Sequence, residues 1–412
     1  MKKYFGFASI TLIIFGLFFL VYYLFAAKNN MPVQAIKEEV APEVIAVVDN
    51  NMPQEYQTNS EESVVNETVE VEEVAPAPAA VNYYVSPSGN DSASGLSEAN
   101  SLKSIQKAID LAQPGEIINL TDGIYMQDFV SKRNGSVDAP IVIRGTSEAI
   151  VKGGGKGRVI EINHDHIVLD GFTIDGFFGS AKKAESYRDK LIYALGKEAR
   201  NGVTGLKIKN MNIKNAGGEC IRLRYFATKN EIVNNLITNC GVVDFKFNGG
   251  GKNGEGIYIG TAPEQRKDGK NPTPDPDQSN ENWIHDNVID TQGNECVDIK
   301  ESSSGNIVER NKCTGQKDSE SAGLDSRGNG NIFRNNQIFG CSGAGVRLGG
   351  DAKTDGINNV VSANNIYDNK NGGVKVMRFP QTICGNTVTN CDKGLCVGDF
   401  AKKFNPISKC TS

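Results

Sequence analysis

The segments GEGIYI (254–259), GNECVDI (293–299), SAGLDS (321–326) and GAGVRL (343–348) share one pattern: a small residue, then apolar positions separated by single variable ones. It also occurs earlier as GGECIRL (217–223) and later as GGVKV (372–376) and KGLCV (393–397). A second pattern alternates with it, apolar, then Asn, then apolar two further on: EIVNNLI, WIHDNVI, NIVERNKC, NIFRNNQI, VVSANNIY and TICGNTV. Alternation inside each segment has period two, so each is a short strand. The repeat length is mostly 21–28 residues, with one stretch of 52 where a proline-rich insertion (262–281) interrupts. Several short strands per repeat, many Asn and Gly turns and no helical period predict an all-β right-handed parallel β-helix. Leucine-rich repeats need an LxxLxL spacing that is absent, and propeller blades need about 40 residues or more. Aligning the second pattern puts Asn235, Asn287, Asn311, Asn336, Asn365 and Asn386 in one column, read as stacked amides inside a turn.

Working outward, IINL, IVIRG, VIEI and IVLDGFTI fit as earlier coils. In SLKSIQKAIDLAQPGE (101–116), Leu102, Ile105, Ala108, Ile109 and Ala112 share one helical face, and Pro114-Gly115 stops the helix. That helix is expected to cap the open end of the stack. The solenoid is expected over 82–400, in roughly nine or ten coils, with 401–412 as a tail. Residues 4–27 are apolar and uncharged behind Lys2 and Lys3. At 1.5 Å per residue they reach about 36 Å, enough for a bilayer core of about 30 Å. Phe25-Ala26-Ala27 makes a poor cleavage site, so 1–27 is read as an uncleaved signal anchor with the N-terminus cytoplasmic. Residues 28–81 read as a disordered acidic tether of Glu, Val and Pro, placing the domain outside the cytoplasm.

The net charge of −5 comes from that tether: residues 31–80 hold 11 acidic side chains and one lysine. From 81 onward 40 basic residues face 38 acidic ones, so no nucleic-acid partner is expected. Collagen and wholesale disorder are excluded by the absence of a Gly-X-Y period and by 39% hydrophobic residues. Nine cysteines in such a chain suggest disulfides. Cys220–Cys240 and Cys296–Cys313 are each separated by nearly one coil and are expected to meet, while Cys384, Cys391, Cys396 and Cys410 are expected to staple the last coil. Zinc is disfavoured, because no CxxC is present and the three histidines lie elsewhere. His164, His166 and His285 read as turn and strand-surface residues, and GGGKG (153–157) as a turn without a phosphate-loop signature. NET (66–68), NDS (90–92), NLT (119–121) and NGS (134–136) are glycosylation sequons, usable only in a eukaryotic secretory route.

The apolar positions of the first pattern point inward, so the residues between them form outward columns. One column reads Arg222, Tyr258, Asp298, Asp325, Arg347, Lys375; the next includes Arg224, Lys300 and Arg327. Glu219, Glu255 and Glu295 lie just before the strands. The carboxylates concentrate on coils 255–325 with cations on both sides. Gly256, Gly323, Gly345 and Gly373 are expected to leave the surface open beside them, and the insertion 262–281 to wall a groove.

Together, YYVSPSGNDSASG (83–95), SLKSIQKAIDLAQPGEIINLTDGIY (101–125), APIVIRG (139–145) and IVLDGFTI (167–174) resemble the opening of pectin-lyase-like β-helix proteins. The similarity is greatest to polysaccharide lyases of the family-nine pectate lyase and chondroitinase B types, over about 83–175. This superfamily contains lyases, glycosidases, epimerases and inert surface proteins, so the resemblance speaks for fold before chemistry. The polygalacturonase strings NTD, DD, GHG and RIK and the epimerase string DPHD are absent. The calcium-site string NADGF of family-nine lyases looks like Asn294-Glu295-Cys296-Val297, and SDDGWD like Ser321-Ala322-Gly323-Leu324-Asp325, keeping only the last aspartate. Their GNGFKLGG looks like Gly343-Ala344-Gly345-Val346-Arg347-Leu348-Gly349-Gly350, which puts Arg347 where their base lysine sits.

The resemblance implies elimination on acidic polysaccharide. That chemistry needs a cation to neutralise the substrate carboxylate, a base for the α-proton and a donor for the leaving oxygen. The expected calcium ligands are Glu255, Glu295, Asp298 and Asp325. The catalytic candidates are Arg347, Lys300 and Arg327, with Arg347 held short of full stabilisation by neighbouring cations; Arg222, Arg224, Tyr258 and Lys375 are the substrate-binding set. A membrane-tethered monomer is expected. The alternative is a non-catalytic glycan-binding or surface-display β-helix with the same face.

Overall fold

A computed structural model of the chain describes residues 81–251 and 253–411. The expected anchor at 4–27 and the tether up to residue 80 lie outside the described residues. Among the described residues no helix is long and apolar enough to cross a membrane. What is described is a β-helix of three parallel sheets with 11, 10 and 10 strands. Each coil contributes one strand to each sheet, as in Ile307–Glu309, Lys312–Thr314 and Ala322–Ser326. The sheets are called first, second and third in that order.

Strands of three residues are enough because alternate residues enter one shared core. Ile284, Val308, Phe333 and Val361 are fully buried in successive strands of the first sheet, in register with one another. The corner between the first and second sheets is only two residues long. Its first residue takes a left-handed conformation: Asn234, Asp286, Arg310, Asn335 and Ala363 all have φ between 52° and 58°. Its second residue is an inward Asn whose Oδ1 accepts the backbone N–H of the Asn one coil back. These bonds run Asn235 to Asn287 (3.0 Å), Asn287 to Asn311 (3.0 Å), Asn311 to Asn336 (2.9 Å), Asn336 to Asn364 (2.9 Å) and Asn364 to Asn386 (3.0 Å). The ladder expected from sequence is present with one correction. Ala363 occupies the left-handed position, so Asn364 joins the ladder and Asn365 begins the next strand as an exposed residue. A second ladder, Asn230, Asn282, Asn306, Asn331 and Asn359, lines the corner between the third and first sheets.

The capping helix spans Ile105–Leu111 and buries Ile105, Ala108 and Ile109 against the first coils. Asp91 fixes its start, accepting from the Lys103 and Ser104 N–H groups (2.9 and 2.8 Å) and from Ser104 Oγ (2.7 Å). The disulfides Cys220–Cys240 and Cys296–Cys313 form as expected. Of the C-terminal group only Cys384–Cys410 pairs, leaving Cys391 and Cys396 as thiols, along with the buried Cys341. His166 is a left-handed turn residue (φ 53°), and His164 Nδ1 meets Ser131 Oγ at 2.8 Å.

The glycine column does something other than expected. A side chain at Gly256 would strike Ile289, and one at Gly323 would meet Ile338 and the sulfurs of Cys313 and Cys341. At Gly345 it would strike Ile366, and at Gly373 Val388. These glycines face the interior, where the coil narrows, and do not open the outer surface.

Candidate functional site

The outward column of the third sheet is in register as read: Tyr193, Arg222, Tyr258, Asp298, Asp325, Arg347 and Lys375 pair in sequence across adjacent strands. Outward does not mean exposed here. Asp298 is 1% and Arg222 2% accessible, because loops rise over this sheet and leave a cavity of about 330 Å³ between them. The insertion forms one wall through Glu264 and Gln265, as expected, and Asp318, Glu320 and Ser321 form another.

The insertion is firmly fastened. The buried Asp277 carboxylate accepts from the N–H groups of Tyr225 (2.6 Å) and Phe226 (2.8 Å), and from the hydroxyls of Thr261 (2.6 Å) and Ser279 (2.8 Å). Tyr225 and Phe226 are consecutive left-handed residues (φ 60° and 58°), a costly arrangement for aromatic side chains that Asp277 holds in place. Arg224 reaches the same loop, donating to Asn271 Oδ1 (2.5 Å), Asp268 Oδ1 (2.8 Å) and the Gln265 carbonyl (3.2 Å).

Three of the four expected substrate-binding residues contact the protein itself and lie outside the cavity lining. Arg224 is enclosed by the insertion it fastens. Arg222 donates to Glu219 Oε1 and Gln265 Oε1, both at 2.8 Å, and lies 3.6 Å from the centroid of the Tyr258 ring. Lys375 donates to the Glu320 carbonyl (2.7 Å) and steadies the wall outside the cavity lining. Tyr258 does line the cavity, its ring between Arg222 and Lys300, whose Nζ is 4.7 Å from the centroid. Glu219 leaves the carboxylate group for ion pairs with Arg222 and Lys190 (2.5 Å); against its burial, these hold it down at about 2.

Glu255, Glu295 and Asp298 come together from two adjacent coils. One ligating oxygen from each lies within 4.8 Å of the others, and all three side chains are buried. Gly254 N–H donates to Glu255 Oε2 (2.9 Å), Ser321 Oγ donates to Glu295 Oε1, and Lys300 Nζ sits 2.5 Å from Asp298 Oδ2. Glu295 Oε2 and Asp298 Oδ1 are buried without a hydrogen-bond partner. Burial, then the charge of Glu219, lifts the Glu255 carboxyl to about 7. Burial, then Asp298 and Glu255, push Glu295 well above the carboxylate range. Glu255 and Glu295, held out of water with raised proton affinity, favour a bound proton or a cation, while Asp298 already pairs with Lys300. Oxygen-only donors with orphaned lone pairs suit a hard divalent cation such as calcium.

Asp325, the fourth expected ligand, stands apart from that trio. Its Oδ2 accepts from Arg347 Nη1 (2.7 Å) and lies 3.8 Å from Arg327 Nε. This also corrects the expectation for Arg347. The Asp325 charge raises its proton affinity, so the guanidinium is held firmly charged rather than poised as a base. Arg327 shifts the same way: burial opposes it, and Asp325 and Asp298 prevail. For Lys300 too, burial is outweighed by Asp298, which holds its proton well above the usual lysine range.

The cavity lining also includes Asn294, Ser321 and Gln265, which the sequence patterns do not single out as site residues. Asn294 and Ser321 lay within the lyase-like strings and had a signal; Gln265 sits in the insertion, where no motif marks it. The lining carries six acids (Glu255, Glu264, Glu295, Asp298, Asp318, Glu320) against three cations, Lys300, Arg327 and Arg347. With its acids ionised and no cation bound, the cleft repels an anionic sugar.

Comparison with solved structures gives three likenesses that cover most of this chain. An alginate lyase from Paenibacillus sp. str. FPU-7 matches with TM-score 0.53 and 20% identity, over 69% of this chain and 94% of that one. Pectate lyase Pel9A matches with TM-score 0.53 and 15% identity, over 76% and 78%. A GH136 lacto-N-biosidase from Eubacterium ramulus matches with TM-score 0.50 and 12% identity, over 77% and 68%. At such identities the likeness establishes the parallel β-helix fold shared with polysaccharide lyases, and no more. No curated protein matches the chain. A family described as a protein of unknown function, DUF1565, matches residues 87–323, more than half of the chain and including the carboxylate trio, and the chain belongs to that family.

Proposed function

We propose that this β-helix acts on an acidic polysaccharide in the third-sheet cleft, by cation-assisted β-elimination. The observation that carries the reading is the convergence of Glu255, Glu295 and Asp298 beside three cationic side chains in an open cavity. Calcium held by this trio would neutralise a uronate carboxylate and so acidify the neighbouring α-proton. Arg347 and Arg327, kept charged by Asp325, grip the substrate carboxylates. Lys300, on the cavity floor beside Asp298 and Tyr258, must first release its own proton to solvent; as the neutral amine it takes the α-proton and then passes it to the leaving glycosidic oxygen. The fastened insertion sets which sugar fits through Gln265 and Glu264. Three disulfides agree with a domain outside the cytoplasm, tethered through residues 4–27.

A second reading, a glycan-binding module without catalysis, is favoured by the raised proton affinity of all three cations, none of which is free to act as a base. Incubation with polygalacturonate, alginate and glycosaminoglycans, with calcium or with a chelator, separates the two. Calcium-dependent ultraviolet absorbance from an unsaturated uronate product supports elimination. Retention of the polymer with no such product on any uronate substrate supports the binding module.

A further inference from the structure

Trp283 is the only tryptophan in the chain, and it lies on the first sheet, on a different wall of the β-helix from the cleft. Its ring stacks on His285, with centroids 3.7 Å apart and planes 24° from parallel. Both residues point away from the core, since Ile284 between them is fully buried. His285 is nevertheless only 6% accessible, whereas Trp283 is 39% accessible. The imidazole is therefore the covered layer and the indole the exposed one. Trp283 Nε1–H donates to Glu309 Oε1 (2.9 Å), which pins the ring in its plane. The result is a rigid, solvent-facing aromatic plate, ordered before any ligand arrives.

The plate begins a track. In the same outward column, Ile307, Ile332 and Val360 follow Trp283 coil by coil, each half-buried. At about 4.8 Å per coil the stripe is roughly 14 Å long and parallel to the solenoid axis. It runs into a groove of about 530 Å³ between Val360, Thr382 and the C-terminal segment around Phe404 and Lys409. Arg310 and Arg334 flank the stripe and are more than 40% accessible at their side chains. Arg334 engages Glu309 through Nε (2.5 Å), with its terminal nitrogens beyond that contact.

We propose that this track is an accessory binding site for an extended acidic polysaccharide chain, separate from the cleft. A flat aromatic plate suits the apolar face of a pyranose ring. A narrow linear stripe continues that contact along a polymer, and is too slender for a stable protein interface. Arg334, engaged with Glu309 through Nε, supplies the donors to carboxylates and hydroxyls; Arg310 is occupied, with Nε and Nη2 on Asp286 and Nη1 on Glu309. The substrate class is the one proposed for the cleft, but the residues are different, so either reading can fail alone.

The single tryptophan makes the test direct. Indole fluorescence of the intact domain is titrated with alginate and polygalacturonate, and electrophoretic retardation in gels containing each polymer is measured in parallel. Saturable quenching or a blue shift is expected, weakening as salt rises. Trp283→Ala should weaken retardation tenfold or more, Trp283→Phe should retain most of it, and cleavage of short oligosaccharides should be unchanged in both. Asp298→Asn should keep the full fluorescence response, which separates the track from the cleft. The proposal is overturned if neither polymer moves the fluorescence, if Trp283→Ala binds like wild type, if the response disappears in Asp298→Asn, or if sedimentation shows a Trp283-dependent dimer that accounts for it.

Discussion

Removing the charge of Glu255 should stabilise the cation-free protein and abolish its response to calcium. Burial and the Glu219 charge lift this carboxyl from 4.5 to about 7 in the folded chain. The folded state thus holds the proton more tightly than the unfolded one. The associated stability is fully present below about pH 4.5 and is lost as pH rises through about 7. A rise of that size corresponds to about 3 kcal/mol at 1.36 kcal/mol per unit. In a domain of this size each kcal/mol moves Tm by roughly 1–2 °C, extrapolating from smaller domains, so the fall between about pH 5 and pH 8 should be about 3–6 °C. Calcium at a hundred times its dissociation constant should return about 2.7 kcal/mol at the upper end of that range. Glu255→Gln should be flatter across the range, more stable than wild type at about pH 8 without calcium, and insensitive to added calcium. Differential scanning fluorimetry over a pH series, with and without calcium, measures all three. A wild-type Tm that rises smoothly from pH 5 to pH 8, or a calcium shift that survives in Glu255→Gln, refutes the reasoning, because the trio would then be neither proton-loaded nor the cation's site.

Other outcomes follow from individual contacts. Lys300→Ala should abolish formation of the unsaturated product while polymer binding changes little, as measured by initial rates against gel retardation; Arg347→Ala should instead raise KM, since its guanidinium grips rather than abstracts. Arg224→Ala removes three hydrogen bonds to the insertion and leaves Asn271 Oδ1 without its donor, while Asp268 keeps only Lys270; it should cost about 3 kcal/mol or more and expose 262–281 to limited proteolysis. Asn311→Ala strips the acceptor from the Asn287 backbone N–H and should cost about 2 kcal/mol in urea unfolding. Asn365→Ala, one position outside the ladder, should be nearly neutral.

The sequence patterns located the coils because a solenoid writes its structure locally. Every third-sheet strand repeats the same inward spacing, so aligning GEGIYI with GNECVDI was enough to put Tyr258 beside Asp298, and SAGLDS with GAGVRL to put Asp325 beside Arg347. The disulfides Cys220–Cys240 and Cys296–Cys313 were legible for the same reason, each closing nearly one coil. The Asn ladder slipped at one coil because VVSANNIY offers two adjacent asparagines. The choice between them depends on which residue takes the left-handed corner, and Ala363 gives no sign that it does.

The roles of the cations were not legible, for a different physical reason. A column gives the neighbour one coil away, but a long side chain reaches further than that and follows charge. Arg222 and Arg224 belong to the outward face by register, yet Gln265, Asp268 and Asn271 draw them into contacts with the insertion 41–47 residues further along the chain. The same long-range effect decides Arg347. Its register neighbour Asp325 is the nearest charge, so the pair neutralises itself before either can join the trio. The trio survives as a separate unit because its members come from two different positions relative to the strand. Glu255 and Glu295 precede their strands, whereas Asp298 lies within one, in the column that carries Arg347 two coils further on. Lys300 and Arg347 each neutralise one carboxylate of the column, Asp298 and Asp325, so what the trio still offers a cation is its unpartnered oxygens, Glu295 Oε2 and Asp298 Oδ1.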